Sequence, residues 1–418
     1  MEEKTQHPPL PENWAFRFFT IWSGQAVSLF GSSLVQFALV WYLTKESGSA
    51  TVLATATLIA MLPQIVLGPI AGALVDRLNR RIIIMLSDGV IMLATLGLVF
   101  LFASGSIEIW HIYAMMFVRG LGGAFHWPAM QASTSLMVPK QHLARIAGMN
   151  QTLQGAINVV APPTGAILIE IISTQNVLLI DVGTALVAIL PLFFIPIPQP
   201  LRKNGVDGVE TRFRQDLKEG FTYVIAWPGL LAIFVMATLI NFLLTPTASL
   251  MPLLITEHFG GGALQFGLMD SFWGGGVILG GVILSVWGGF KRRIMTSMVG
   301  MIGIGLGIIL VGIAPASVFY LALGGMFLAG IMVAFANGPL MAIVQSVVRP
   351  EMQGRVMSLL GSAATAMSPL GLIIAGPVSD WLGIRVWYWI GGSLTLLMGV
   401  ISFFIPAIMN VEDNHNGE

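Results

Sequence analysis

The sequence predicts an all-α integral membrane fold of twelve transmembrane helices, arranged as two six-helix pseudo-symmetric halves. Three observations predict it. Of 418 residues, 56% are hydrophobic and only 10% charged, with mean hydropathy +0.84. A soluble domain carries roughly 25% charged residues, so water is not the solvent for most of this chain. Long apolar runs recur at the ~20-residue length that crosses a hydrocarbon core. Finally, "MFVRGLGGAF" at 116–125 returns as "MFLAGIMVAF" at 326–335, which marks the two halves as related.

Taken in order, the opening "MEEKTQHPPLPENW" is acidic and proline-rich. The first apolar run, 17–43, is too long for a signal-peptide core, so no cleavage is expected. Runs at 51–75, 82–103, 107–128, 147–169 and 176–196 complete the first half. None alternates with the period of two that a membrane β-barrel requires. The charged stretch "PQPLRKNGVDGVETRFRQDLKEG" (198–220) follows and reads as a linker whose latter part forms a short surface helix. Runs at 229–255, 264–288, 295–314, 317–345, 356–379 and 385–408 make the second half. The expected boundaries are 1–197 for the first half, 198–225 for the cytoplasmic linker and 226–418 for the second half. Glycine clusters such as "GGGVILGG" (274–281) suit close helix packing.

The repeat extends beyond the fourth spans. Met116, Phe117, Gly120, Ala124 and Phe125 recur as Met326, Phe327, Gly330, Ala334 and Phe335, and "RRIIIM" (80–85) is echoed by "KRRIM" (291–295). Both fifth spans carry a proline-glycine pair, "PPTG" (162–165) and "SPLG" (368–371), where a kink is expected. Parallel six-helix repeats around a midplane cavity are a transporter layout. With the N-terminus inside, the basic residues gather in the inner loops, Lys45 and Arg385 alone fall outside, and Arg119 lies within the membrane. The positive-inside rule therefore places both termini in the cytoplasm.

Several function classes are excluded. No cysteine is present, so there are no disulfides or thiolate metal sites. The six histidines lack metal spacing, and the zero net charge suggests no nucleic-acid partner. No glycine-lysine pair supplies a Walker A loop, and no G-x-S-x-G elbow marks a hydrolase. An enzyme is not expected, nor a cofactor beyond a proton gradient. A membrane receptor would need a sizeable soluble output domain, and the longest loop is too short for one.

Residues 72–81 read "GALVDRLNRR". Asp76 stands at a helix end with Arg77, Arg80 and Arg81 close by, a cluster able to pin two helices in one conformation and release them in another. This pattern resembles the loop between the second and third helices of the major facilitator superfamily, which has glycine where this chain has Asn79. Asn tolerates a left-handed backbone, so the turn is expected to survive. Gly72, Asp76, Arg77, Arg80 and Arg81 are therefore gating candidates, with Asp88, seven residues after Arg81, bracing them. The stretches "FTIWSGQAVSLFGSSL", "FVRGLGGAFHWPAMQA", "VPKQHLARIAGMNQTLQ", "LLIDVGTAL" and "GRVMSLLGSAATAMSPLGLIIAGPVSD" narrow the resemblance to the macrolide-efflux branch of the drug–proton antiporters. It implies export of bulky, largely apolar antibiotics in exchange for protons, by a monomer in a bacterial inner membrane. A lysophospholipid flippase or a siderophore exporter of the same fold is the alternative.

Arg119 lies ten residues into its span, so at ~1.5 Å per residue it is ~15 Å deep. A charge there costs ~2.5–3.5 kcal/mol on insertion scales. Its repeat counterpart is Ala329, so the scaffold does not require the charge. In the antiporters that this chain resembles, an arginine at this place, with the spacing Arg119 to Gly123, is linked to proton coupling. Arginine does not itself release a proton, so Asp181 and then Asp270 are the acids expected to carry it, with His126, further along the Arg119 helix, as the group that could titrate instead. Glu170 and Asp380 read as helix-end surface charges. Amphipathic cargo suits aromatic and amide walls. The expected lining is Gln25, Phe30, Gln36, Gln64, Phe125, His126, Asn158, Asn241, Phe272, Trp273, Phe335 and Asn337.

Overall fold

A computed structural model describes residues 13–199 and 219–412, which are helical nearly throughout, without a strand. In the first half, α1 (Trp14–Ser47), α2 (Ala50–Arg77), α3 (Arg80–Ala103), α4 (Ile109–Met137), α5 (Leu143–Ile171) and α6 (Thr174–Phe194) are six spans. Much of the expected linker lies outside the described residues. Its end is helical over 219–226, here α7. Four spans of the second half are single helices, namely α10 (Ala263–Trp287), α11 (Arg293–Ile313), α12 (Phe319–Val347) and α15 (Arg385–Ser402). The other two are each built from two helices, α8 (Pro228–Ser249) with α9 (Met251–Glu257) and α13 (Pro350–Ala366) with α14 (Ser368–Leu382). A short α16 (Pro406–Met409) follows. Ten stretches among the described residues are apolar and long enough to cross a bilayer on that ground alone. The more polar α4 and the 18-residue α15 complete the twelve.

The two fifth spans differ. Helix α5 runs unbroken through Pro162 and Pro163, so the first proline-glycine pair does not end its helix. The second pair does interrupt: Met367 separates α13 from α14, and Pro369 takes the start of α14, where its missing N–H costs nothing. The Ser368 and Thr245 hydroxyls, 3.0 Å apart, tie that break to α8.

Two compact units emerge from the contacts. One comprises Met1–Leu43 and Ala56–Val206, and the other Thr44–Thr55 and Asp207–Glu418. In the first, α3 packs on α4 and α6. In the second, α12 packs on α10 and α11, and α8 on α13, α14 and α15. The crossing of α10 and α12 depends on missing side chains: a Cβ on Gly276 would strike the Phe327 carbonyl, and one on Gly330 the Trp273 carbonyl. The hairpin at 44–55 belongs to the second unit because Asp380 holds the start of α2. Its carboxylate accepts the Ala50 N–H at 2.7 Å, the Thr51 N–H at 3.0 Å and the Ser49 hydroxyl at 3.0 Å. Asp380 is therefore an anion seated on a helix N-terminus rather than an idle surface charge.

Candidate functional site

Four helices of the first unit converge on one carboxylate. On α6, Asp181 is 2% exposed and accepts from Arg119 Nη1 of α4 at 3.0 Å. The Ser32 hydroxyl of α1 donates to its other oxygen at 3.0 Å. On α3, Thr95 Oγ1 lies 3.2 Å from Asp181 and 2.9 Å from the Ile91 carbonyl, and its single proton serves one of them at a time. Arg119 completes its own bonding at the Ser32 carbonyl, 2.9 Å away. The approach of α1 to α6 requires Gly31, because a Cβ there would collide with the Thr184 hydroxyl. Every charge in this knot has an opposite charge or a donor, as burial demands.

A second knot lies on α1, α3 and α4. Asp88 Oδ2 accepts from Gln25 Nε2 at 2.9 Å, and Asp88 Oδ1 is 3.3 Å from His126 Nε2. The same His126 nitrogen is 2.9 Å from Gln25 Oε1. The expectation that Asp88 braces the cytoplasmic loop is thereby corrected. Two helical turns carry it ~10 Å along α3 from Arg81, and its partners come from other helices.

Gln25 and His126 also line a cavity. Trp22, Ala26 and Leu29 of α1 share its wall with Trp127, Met130, Gln131 and Thr134 of α4 and Asn150, Leu153 and Gln154 of α5. It holds about 550 Å³ of empty space, its open mouth included. The Trp22 indole donates to Asn150 Oδ1 at 2.7 Å, joining α1 to α5. The wall is aromatic, thioether and amide, with no lysine or arginine.

The other residues expected to line a cavity lie elsewhere. Phe30 packs into the α1–α5 core, and Phe125 against the core formed around Phe18, Ile84 and Ala129. Gln36, Gln64, Asn158 and Asn337 are exposed, with Asn158 accepting from Gln154 at 3.1 Å. Asn241 donates to the Ala237 carbonyl of its own helix at 2.9 Å. Phe272 sits edge-on to Phe327, and buried Phe335 against Trp287. Trp273 is half-buried, with its backbone at the α10–α12 crossing. Asp270 belongs to the second unit, while the carboxylate that meets Arg119 is Asp181. A sequence signal for the missed wall existed: positions 22, 25, 26 and 29, and 126, 130 and 134, share one face at helical spacing.

In the loop after α2, the side chains of Asp76 and Arg77 lie outside the described residues, and a Cβ on Gly72 would meet open space. Asn79 is not left-handed. Its φ of −69° and ψ of 109° are extended, and its side chain caps α3 by accepting from the Arg81 and Ile82 N–H groups. Arg80 donates to the Ala132 carbonyl at 2.8 Å. Arg81 reaches the carbonyls of Leu192 and, at 2.7 Å, Phe193, at the negative end of α6. Both arginines bind backbone carbonyls within the first unit, Arg81 at the end of α6 and Arg80 inside α4.

Comparison with known proteins agrees with this architecture. The family model of the Major Facilitator Superfamily matches residues 21–250 and 244–416. The chain is similar to macrolide efflux protein A of Streptococcus pyogenes, at 32% identity over 96% of this chain and 98% of that protein. It is also similar to the multidrug efflux pump Tap of Mycolicibacterium fortuitum, at 26% identity over 91% and 94%. Among solved structures, a POT family transporter in complex with 5-aminolevulinic acid superposes with TM-score 0.73 at 13% identity, covering 95% of this chain and 97% of that one.

Proposed function

The chain belongs to the Major Facilitator Superfamily, and on that premise we propose that it is a proton-coupled exporter of amphipathic or apolar antibiotics of the macrolide type. It works by alternating access in a bacterial cytoplasmic membrane, with both termini inside. The observation that carries this reading is a charged knot beside an apolar cavity, in one six-helix unit of a chain similar over 96% of its length to a macrolide efflux protein. Arg119 and Asp181 form a fixed ion pair, and the cavity wall of two indoles, a methionine and amides suits bulky apolar cargo. A wall without lysine or arginine speaks against an anionic siderophore.

The test is uptake of radiolabelled erythromycin into proteoliposomes, with and without an imposed pH gradient. Accumulation that needs the gradient, and that the charge-free pair Arg119→Met with Asp181→Leu abolishes, supports the reading. Absence of accumulation under any gradient overturns it, and lysophospholipid flipping in the same vesicles then tests lipid cargo. Asp270→Asn in the same assay decides whether the acid of the second unit takes part.

A further inference from the structure

The two knots of the first unit hold their carboxylates differently, and the difference bears on where a proton can go. Asp181 is engaged by the Arg119 guanidinium, whose other nitrogen holds the Ser32 carbonyl, by the Ser32 hydroxyl, and by Thr95 in alternation. Adding a proton to it displaces a donor. At Asp88 the neighbours are Gln25, which is neutral, and His126. The remaining charges that face it are Asp181 and, through Asp181, Arg119.

The hydrogen-bond pattern fixes where a mobile proton sits. Both atoms nearest His126 Nε2 are oxygens, Gln25 Oε1 at 2.9 Å and Asp88 Oδ1 at 3.3 Å. Nε2 therefore carries a hydrogen, and the amide of Gln25 gives its own to Asp88 Oδ2. In the neutral ring Nδ1 is then bare. A proton arriving at Nδ1 breaks no bond in the triangle, and it turns the Nε2 contact into a charge-assisted one between imidazolium and carboxylate. His126 and Gln25 are also wall residues of the cavity, so whatever fills the cavity touches two corners of the triangle.

We propose that the Gln25–Asp88–His126 triangle is the proton-exchange site, and that it selects cargo bearing one basic amine. The inference rests on the exporter reading above. One proton taken from outside resides on His126 Nδ1, with Asp88 as its counter-ion. When a cationic amphiphile enters the cavity, its ammonium takes over the Asp88 charge and the proton leaves His126 for inner water. The cavity keeps the same net charge throughout, with one cation exchanged for another. The Arg119–Asp181 pair stays intact and offers no second carboxylate to the cargo.

The experiment uses the full chain in lipid nanodiscs, labelled with ¹⁵N-histidine, with His126→Gln to assign the signal. Erythromycin, a macrolide with a tertiary amine, is added across a pH series while released protons are counted with an indicator dye. The expected result is an imidazolium signal from His126 that turns neutral on erythromycin binding, with about one proton released. Asp88→Asn loses the release while still quenching tryptophan fluorescence with erythromycin, and His258→Gln in the second unit leaves it unchanged. Should Asp88→Asn fail to bind, Gln25→Leu provides the second arm and is expected to lose most of the release. A His126 ring that stays neutral at every pH overturns the proposal, as does undiminished release from Asp88→Asn or Gln25→Leu. Proton release with erythromycin but no gradient-driven uptake in vesicles leaves the site standing and overturns the exporter reading instead.

Discussion

Arg119 on α4 and Asp181 on α6 meet at 3.0 Å with 12% and 2% of their side chains exposed, and Arg119 also holds the Ser32 carbonyl at 2.9 Å. The equivalent place in the second unit is Ala329, fully buried. The same helical scaffold accepts either residue, provided that the charge brings its partner.

Removing one member of this pair therefore does more than delete an interaction. Arg119→Ala strands a buried carboxylate and is expected to cost about 3–5 kcal/mol of stability. Arg119→Met with Asp181→Leu removes both charges and is expected to recover most of that loss, while remaining inactive in gradient-driven transport. Thermal melting of the purified variants in one detergent checks it. A double variant as unstable as the single one would mean that the pair acts by packing rather than by charge compensation.

Much of the fold was legible because a bilayer imposes a length and a composition on every span. The site was legible only where one residue is informative by itself. Arg119 is such a residue, since a guanidinium at that depth must have a partner, and Asp181 answers it. Asp88 misleads because its distance along the chain points to Arg81, whereas its bonds go to Gln25 on α1 and His126 on α4. Which helices adjoin cannot be read along one of them. Gln36, Gln64 and Asn158 show the related limit: an amide in a span signals polarity but not the face it occupies. The break at Met367 and its absence at Pro162 reflect tertiary support, which the shared proline-glycine pair does not record.

The loop after α2 offers a test of how its turn is made. Asn79 is extended and caps α3 through its side chain, so the amide matters and left-handed tolerance does not. Asn79→Ala is expected to cost about 1 kcal/mol, and Asn79→Asp or Asn79→Ser to restore it. Chemical denaturation of the three variants measures this. Equal losses in all three would remove the cap from the account.

The α10–α12 crossing makes a sharper steric prediction. Gly276→Ala places a methyl against the Phe327 carbonyl, whereas Gly281→Ala, five residues on, meets open space. Overpacking of this kind costs about 1–3 kcal/mol, so Gly276→Ala should melt lower and Gly281→Ala should match the parent. Because backbone meets backbone there, no rotamer change relieves the clash.

Neighbouring aromatic residues on α4 should separate binding from folding. Trp127 lines the cavity and is 49% exposed, while Phe125 packs into the core around Ala129. Two residues apart on a helix, they point to different faces. Trp127→Ala should weaken erythromycin binding about tenfold, the loss of one aromatic contact worth about 1.4 kcal/mol, with little change in melting. Phe125→Ala should lower the melting temperature and leave affinity near the parent's. Its cost should fall below the about 3–5 kcal/mol of a fully buried phenylalanine, because its side chain is only half-buried. Ligand-induced tryptophan quenching and thermal melting on the same samples report the two quantities independently. A Trp127→Ala variant that binds erythromycin as the parent does would remove the cargo from this cavity, and with it the contact between cargo and the Asp88 triangle.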